Sequence, residues 1–87
     1  MSVTDFFDLK EDYKNYEPFT ITKKNVVANK GKHVFYVLSR YYDRQRGYFS
    51  IDSGVLCDMK YSTIYLDDYG AEFNRTDIVA IIIKKGD

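Results

Sequence analysis

The sequence predicts an α+β domain that is mostly β, in which one N-terminal helix precedes an antiparallel meander of five to seven strands. Apolar side chains recur at three- and four-residue spacing within residues 2–16, as in an amphipathic helix. After that, short β-branched and aromatic runs alternate with turn signals, which favours a small barrel or a strongly curved sheet. The 87 residues form a single domain, 1–87, with a helix over 1–17 and a β-rich body over 18–87.

The predicted helix rests on one apolar stripe. Phe6, Leu9, Tyr13 and Tyr16 would share one helical face. Pro18 ends the helix, because the residue before a proline is pushed out of the helical region. A helix of roughly four turns is marginal alone, so its aromatic face is expected to pack on the sheet.

The β-rich body is divided by turns rich in glycine and aspartate. Asn29 to Gly31, Arg44 to Gly47 and Asp67 to Gly70 are predicted turns. The segment 52–54 is either a turn or a glycine-centred bend within one long curved strand. The predicted strands run over 19–27, 33–42, 48–51, 55–60, 63–66, 71–75 and 78–84.

Two of these strands, 33–42 and 78–83, are largely apolar on both faces. In a chain of this size, that pattern predicts a closed barrel, a helix covering the second face, or a subunit interface. The last alternative would make a homo-oligomer through strand 33–42 or strand 78–83.

The reactive residues give no pattern of an enzyme, a metal site or a cofactor site. The single cysteine, Cys57, excludes an intramolecular disulfide, and its alternation suits a small core residue. The single histidine, His33, leaves no metal-ligand cluster and begins a strand after a turn. Asp67 and Asp68 are adjacent, so on a strand they would point to opposite faces and suit a turn better than a pair of catalytic acids. The sequence therefore predicts a protein that is not an enzyme and needs no cofactor.

The N-terminal residues do not resemble a signal peptide, because acidic groups stand where basic ones are expected. The longest apolar run, residues 78–83, is far shorter than the ~20 residues needed to span a bilayer. These observations predict a soluble, cytoplasmic protein. Few alanines beside abundant Lys, Tyr, Ile, Asn and Asp suit an AT-rich bacterial or phage genome.

The formal net charge is zero, but the charges are segregated along the chain. Residues 21–47 carry seven basic groups and one acidic group, and both flanking segments have an acidic excess. A neutral total argues against non-specific binding to duplex nucleic acid, which needs a strong positive field. A local patch of either sign remains compatible with the sequence.

Two candidate binding sets follow from the charge pattern and the nine tyrosines. The first is basic and aromatic, and it suits either a protein hot spot or stacked, single-stranded nucleic acid. It comprises Arg40, Tyr41, Tyr42, Arg44, Arg46 and Tyr48, with Lys30 and Lys32 on the preceding turn. The second is acidic and aromatic, and it suits a basic groove on a larger protein. It comprises Tyr61, Tyr65, Asp67, Asp68, Tyr69 and Glu72. An inert hairpin and a solvated turn are the alternatives.

The last third of the chain carries a fold-level resemblance. The segments GVLCDM at 54–59, TIYLD at 63–67, AEF at 71–73 and DIVAII at 77–82 follow one another as a meander. This outline resembles the Sm-like and SH3-like small β-barrels, and the resemblance implies their architecture only. Asp58-Met59-Lys60 differs from the Asp-x-apolar-Met-Asn signature of the Sm family, and Asn74-Arg75-Thr76 lies near the place of its Arg-Gly pair. Ring formation and uridine-type RNA binding are therefore not implied.

Taken together, the residues predict a non-enzymatic interaction protein that binds and occludes a larger macromolecule. A phage- or mobile-element-encoded inhibitor of a host protein would have this size and charge segregation. The alternative is a small barrel that binds single-stranded nucleic acid through hairpin 40–48. A structural subunit of a larger assembly is a third possibility.

Overall fold

The computed structural model describes residues 3–67 and 70–86. Within these ranges the chain forms eight strands, one α-helix and three short 3-10 helices. The strands are β1 Tyr16–Pro18, β2 His33–Leu38, β3 Tyr42–Asp43, β4 Tyr48–Phe49, β5 Asp52–Lys60, β6 Thr63–Leu66, β7 Ala71–Asn74 and β8 Ile78–Lys84. The α-helix is α1 Lys23–Ala28, and the 3-10 helices are Val3–Asp5, Ser39–Tyr41 and Arg75–Asp77.

Six strands form one antiparallel sheet in the order β1-β8-β2-β5-β6-β7, and β3 pairs with β4 in a separate hairpin. The chain is therefore mostly β, as predicted. The sheet ends at β1 on one side and β7 on the other, so the closed-barrel alternative was wrong. The predicted meander is confirmed for β5-β6-β7 and wrong for β8, which pairs with β1 and β2 instead of β7.

The long strand β5 connects the two halves of the sheet. Its first residues, 52–55, pair with β2, and residues 56–60 pair with β6. Gly54 lies where the strand passes close to β6, since a Cβ added there would meet the Leu66 Cβ at 3.4 Å. The strand runs on through residues 52–54, so the turn alternative for that segment was wrong.

The predicted N-terminal helix was wrong. From residue 3 onward, where the described part of the segment begins, Val3–Asp5 alone is helical, in one 3-10 turn, and turns and irregular chain follow until β1 begins at Tyr16. The Asp8 Oδ1 atom accepts hydrogen bonds from the backbone N–H groups of Lys10 and Glu11. Such side-chain bonds offer the backbone an alternative to the helical pattern. The aromatic side chains do pack on the sheet, as expected of the apolar stripe.

The predicted strand over 19–27 was also wrong, because residues 23–28 form α1. Thr22 caps this helix, with its Oγ1 accepting from the backbone N–H of Asn25 at 3.1 Å. Val26, which belongs to α1, is completely buried. Lys23 Nζ, also on α1, donates to an Asp58 carboxylate oxygen at 3.1 Å. The pKa of Asp58 is lowered because its carboxylate accepts the Met59 N–H and the Lys23 ammonium bonds.

The sheet is buried on both faces at β2 and β8, which explains why these two strands are apolar on both sides. The face beneath α1 is largely aliphatic and contains Val26, Val34, Tyr36, Leu38, Leu56, Met59, Ile64, Leu66, Ile81 and Ile83. The opposite face is covered by the N-terminal segment and is rich in aromatic rings; its buried residues are Phe6, Phe7, Val37, Ala80 and Ile82. The chain itself thus covers both faces of strands 33–38 and 78–83. The predicted homo-oligomer through strands 33–42 or 78–83 stays a prediction.

Strand β2 ends at Leu38 rather than at Tyr42 as predicted. The pairing of β2 with β8 shifts register at Val37 and Leu38, where Val37 faces Ala80 and Leu38 faces Ile78. The 3-10 helix Ser39–Tyr41 follows at once. This early exit from the sheet carries Arg40 and Tyr41 away from β8 and toward β7.

Candidate functional site

The basic hairpin predicted around residues 44–47 is confirmed. Tyr42 faces Phe49 and Asp43 faces Tyr48 in the β3–β4 pair, and the Gly47 N–H donates to the Asp43 carbonyl at 2.8 Å. Gly47 has φ of +72°, which glycine adopts without strain. The Asp43 side chain accepts the backbone N–H groups of residues 45 and 46. The hairpin tip therefore satisfies its own backbone.

The side chains of this hairpin divide between solvent and core. Arg44 and Arg46 are exposed, and Tyr48 is 70% exposed. Arg46 Nε lies 3.8 Å from an Asp43 carboxylate oxygen, in an exposed ion pair of the kind that contributes little to stability. Tyr42 is half-buried instead, with its ring edge-on to Phe6 at 5.2 Å between centroids. Tyr42 is thus used to attach the hairpin to the sheet.

Arg40 and Tyr41 lie at the base of the hairpin, in the 3-10 helix Ser39–Tyr41. The Arg40 guanidinium carbon is 5.1 Å from the centre of the Tyr41 ring and 5.7 Å from the centre of the Phe73 ring. Both distances are typical of cation–π contacts. Because Phe73 belongs to β7, the Arg40 side chain bridges the gap between the end of β2 and the outer strand of the sheet.

Two cavities lie along this gap and share Leu38, Arg40 and Phe73 in their walls. The first, of about 270 Å³, is lined by Leu38, Ser39, Arg40, Glu72, Phe73, Asn74 and Asp77. The second, of about 390 Å³, is lined by Tyr36, Leu38, Arg40, Tyr41, Ser50, Asp52 and Phe73. We call the two together the Arg40 cleft. The cleft joins Arg40 and Tyr41 of the basic set to Glu72 of the acidic set, although the sequence placed them in separate hairpins.

The Arg40 cleft is acidic and aromatic. Three carboxylates line it, those of Asp52, Glu72 and Asp77, and Arg40 is its one basic side chain. Burial raises the pKa of the Tyr36 hydroxyl above its usual 10.0, and the negative charges of Asp52 and Asp67 raise it further against a smaller effect of Arg40. Tyr36 therefore stays a neutral phenol at physiological pH. The excess of negative charge suits a cationic group on a ligand.

Asp67, of the predicted acidic set, is used inside the fold. Its Oδ1 accepts the Val55 N–H at 2.8 Å, and its own N–H donates to the Val55 carbonyl at 2.8 Å. Its φ of +60° is tolerated because Asp is one of the few residues that enter this region readily. Asp67 thus holds the end of β6 against β5. Asp68 and Tyr69, the next members of the set, lie outside the described residues.

The structure separates other members of the predicted sets from the cleft. Lys30 and Lys32 precede β2, whereas Arg40 follows it, so the strand of six residues puts them roughly 20 Å apart. Tyr61 is fully exposed at the β5–β6 turn, with φ of +55°. Tyr65 lines a different cavity of about 360 Å³, which also contains Cys57. The basic and aromatic residues therefore do not form one continuous surface.

His33 and Cys57 belong to different environments. The His33 Nδ1 atom lies 2.9 Å from the Tyr16 hydroxyl, and the His33 ring packs edge-on against Phe35. Cys57 is a half-buried free thiol. In the described part of the chain, no group of three or more His, Cys, Asp and Glu side chains is placed to hold a metal ion.

Four charged or aromatic residues of the cleft were missed from the sequence: Tyr36, Asp52, Phe73 and Asp77. Asp52 was assigned to a turn or bend, and Phe73 to the interior of an ordinary strand. Asp77 lies in a 3-10 helix that the sequence pattern did not predict. Their convergence depends on the curvature of the sheet, which brings Phe73 of β7 within 5.5 Å of the Tyr36 ring although β5 and β6 lie between β2 and β7 in the strand order. The one available signal was the acidic excess of residues 48–87.

Comparison with protein-family models, with curated proteins and with solved structures finds no match to this chain. Over residues 3–67 and 70–86, no helix has the length and apolar character needed to cross a membrane.

Proposed function

We propose that this chain is a non-enzymatic interaction protein that binds a larger protein through the Arg40 cleft and occludes the surface it contacts. The observation that carries this proposal is the cleft itself, in which three carboxylates and the rings of Tyr36, Tyr41 and Phe73 lie around one arginine. Tyrosine, arginine and a desolvated pocket are typical of the energetic centre of a protein interface. The partner contributes a basic segment.

The size and shape of the cleft support a side-chain ligand. Cavities that hold small-molecule ligands usually measure ~300–1,000 Å³ and enclose most of the ligand surface. The first cavity, at about 270 Å³, is below that range, and the second, at about 390 Å³, is near its lower end. The first cavity has room for one or two protein side chains. Arg40, stacked on Tyr41 and Phe73, illustrates how a guanidinium is accommodated here.

The exposed tip of the β3–β4 hairpin supplies the rim of this surface. The Ser50 N–H donates to the Tyr41 carbonyl at 3.1 Å, so the base of the hairpin is fixed beside the cleft. Arg44, Arg46 and Tyr48 then project beyond it. Rim charges of this kind act mainly on association rate and its salt dependence. An occluding inhibitor, encoded by a phage or a mobile element, would use such a rim to widen the covered area.

The proposal is tested by capturing partners from lysates of the source cells and measuring the affinity of the captured protein for charge variants. The double variant Glu72→Lys, Asp77→Lys should weaken binding about 30-fold, because like charges placed together across an interface cost several kcal/mol. The matched double variant Arg44→Glu, Arg46→Glu should change the affinity for the captured protein about threefold or less. Equal effects of both double variants would contradict the assignment of the cleft as the main contact.

A second candidate function is binding of single-stranded nucleic acid by the hairpin tip. Its support is the exposure of two arginines and of Tyr48, which together offer phosphate and base-stacking contacts. A titration with a labelled 12-nucleotide strand at 50 and 200 mM salt separates the candidates. Micromolar binding that weakens steeply with salt would favour this second function. The carboxylates of the cleft and the wide separation of Lys32 from Arg40 favour the first.

We also propose that β2 and β5–β8 form an open relative of the Sm-like and SH3-like small barrels. The support is the antiparallel run β5-β6-β7, in three of the segments that carry the resemblance; β8, the fourth, pairs with β2 instead of β7. The gap that contains the Arg40 cleft is the place where a barrel would have to close.

A further inference from the structure

The outer edge of β7 is the side that faces away from β6, and some backbone groups of β7 point toward it. Arg75 N–H donates to the Ser62 carbonyl at 2.8 Å, and Thr63 is paired with Asn74. In an antiparallel ladder this bond identifies Thr63–Asn74 as a non-hydrogen-bonded pair, so the backbone groups of Asn74 point away from β6. Because these directions alternate along a strand, the groups of Glu72 also point away from β6.

The outward groups of β7 are the N–H and C=O of Glu72 and the N–H of Asn74. None of these three groups has a hydrogen-bond partner among residues 3–67 and 70–86. Natural edge strands are guarded against pairing by short length, charged side chains, proline, a bulge or a covering segment. β7 is short and carries Glu72, but its four residues contain no proline or lysine and its pairing with β6 is regular. The edge is therefore ready to accept another strand.

The side chains beside this edge define what that strand would look like. A residue paired with Glu72 would share its face of the sheet, where Glu72 is exposed and Asp77 lies nearby in the wall of the first cavity. The next residue of the added strand would share the face of Phe73, beside the buried Leu38. Alternating basic and apolar side chains match these two faces.

We propose that the partner docks by adding an extended strand to the free edge of β7, with its basic residues beside Glu72 and its apolar residues entering the first cavity. This inference rests on the proposed function and specifies the mode of binding at the same cleft. The main-chain hydrogen bonds supply affinity, and the alternating pockets supply selectivity.

A pair of variants at Asn74 isolates the main-chain contribution. Asn74 has φ of −70°, a value that proline adopts without strain, and an outward N–H in an edge strand is the position where proline is tolerated. Asn74→Pro removes that N–H. Asn74→Ala keeps the N–H, and both variants lose the hydrogen bonds that the Thr76 N–H and hydroxyl donate to Asn74 Oδ1. Circular dichroism and urea unfolding should show the same fold for the two variants.

The probe is a fluorescein-labelled octapeptide of alternating valine and lysine, and its affinity is measured by fluorescence anisotropy. Its lysine N–H groups are those that would face the Glu72 carbonyl. A peptide N-methylated at every lysine should bind at least about tenfold more weakly than one N-methylated at every valine. Asn74→Pro should weaken binding of the unmethylated peptide about fivefold relative to Asn74→Ala. An octapeptide of alternating valine and glutamate should bind more weakly than the lysine peptide.

Several outcomes would overturn strand addition. They are equal affinities of the two methylated peptides, equal affinities of the two Asn74 variants, or no binding of the valine–lysine peptide. Sedimentation of the free protein as a dimer that Asn74→Pro dissociates would assign the edge to a second copy instead. Loss of binding in Glu72→Gln without any effect of N-methylation would leave the proposed function intact, because side-chain docking alone would then explain it.

Discussion

The two outer strands of the sheet, β1 and β7, differ in the backbone N–H groups that their free edges present. On β1 the outward positions are Tyr16 and Pro18; the Tyr16 N–H is bonded to the Tyr13 carbonyl at 2.9 Å, and Pro18 has no N–H. On β7 the outward N–H groups of Glu72 and Asn74 have no partner in the described part of the chain. The β1 edge thus offers no backbone N–H donor to an incoming strand, whereas the β7 edge offers two.

The β7 edge also differs from the tip of the β3–β4 hairpin. The tip bonds its own backbone, since the Asp43 carboxylate accepts two backbone N–H groups, and it presents side chains only. The β7 edge leaves its backbone groups available beside a cavity with unbalanced carboxylates. Exposed backbone groups that only water solvates can pair with an incoming strand, whereas groups already bonded within the fold cannot.

The largest expected effect comes from truncating the aromatic ring at each edge. Phe73→Ala on β7 removes the ring beneath Arg40 and beside Tyr36, and it should cost about 2–3 kcal/mol of unfolding free energy. Tyr16→Ala on β1 removes contacts with Tyr13 and Phe35 and should cost a similar amount. Urea unfolding measures both. Only Phe73→Ala should abolish binding of the valine–lysine peptide, and equal loss of binding in both would contradict the asymmetry.

A substitution in β1 should remove the difference between the two edges. Pro18→Val supplies the missing outward N–H and favours strand geometry, so it gives the protein a second free edge. We expect self-association to strengthen about tenfold, because one or two main-chain hydrogen bonds are added per contact. Sedimentation velocity over a concentration series measures this change. Pro18→Gly, which restores the N–H with weak strand preference, should associate less than Pro18→Val.

A smaller effect, confined to stability, is expected at the cap of α1. Thr22→Ala removes the side-chain bond to the Asn25 N–H and should cost about 1 kcal/mol of unfolding free energy. Thr22→Ser, which keeps the oxygen, should restore most of it. Because α1 packs on β5 away from both edges, peptide affinity should stay the same in both variants. A fall in affinity would mean that general loss of stability, rather than the edge, controls binding.

The smallest effect concerns the alkaline pH dependence of stability. Burial and the nearby carboxylates raise the pKa of Tyr36 in the folded protein, so folding favours its neutral form. The resulting stability is complete below pH 10 and is lost as the pH rises through the raised folded value. Tyr36→Phe should therefore lose less stability than the wild type between pH 9 and pH 11, as measured by urea unfolding. A steeper loss of stability with rising pH in Tyr36→Phe than in the wild type would contradict this prediction.

The β half of the fold was predictable because its signals are local. Strands 63–66 and 78–84 match β6 and β8, and the turn signal at residues 44–47 identified the hairpin. The first 30 residues were not predictable from periodicity. There, hydrogen bonds of Asp8 replaced the helix, and the Thr22 cap and the burial of Val26 made a helix where the alternation predicted a strand.

The candidate site was predictable only in its parts. Arg40, Tyr41 and Glu72 were chosen from residue type and charge, but nothing local indicates that they meet. Their meeting requires β2 to end early at Leu38 and the sheet to curve, because β5 and β6 lie between β2 and β7 in the strand order. Asp67 shows the converse, because a carboxylate that looks available in the sequence is bonded to the backbone of Val55.

Amide hydrogen exchange by NMR, with and without the valine–lysine peptide, tests the central claim most directly. The amides of Glu72 and Asn74 should exchange rapidly in the free protein and become at least about tenfold slower when the peptide is bound. The amides of Gln45 and Arg46 at the hairpin tip should not change. Unchanged exchange at Glu72 and Asn74 under saturating peptide, or protection at the tip instead, would contradict the account.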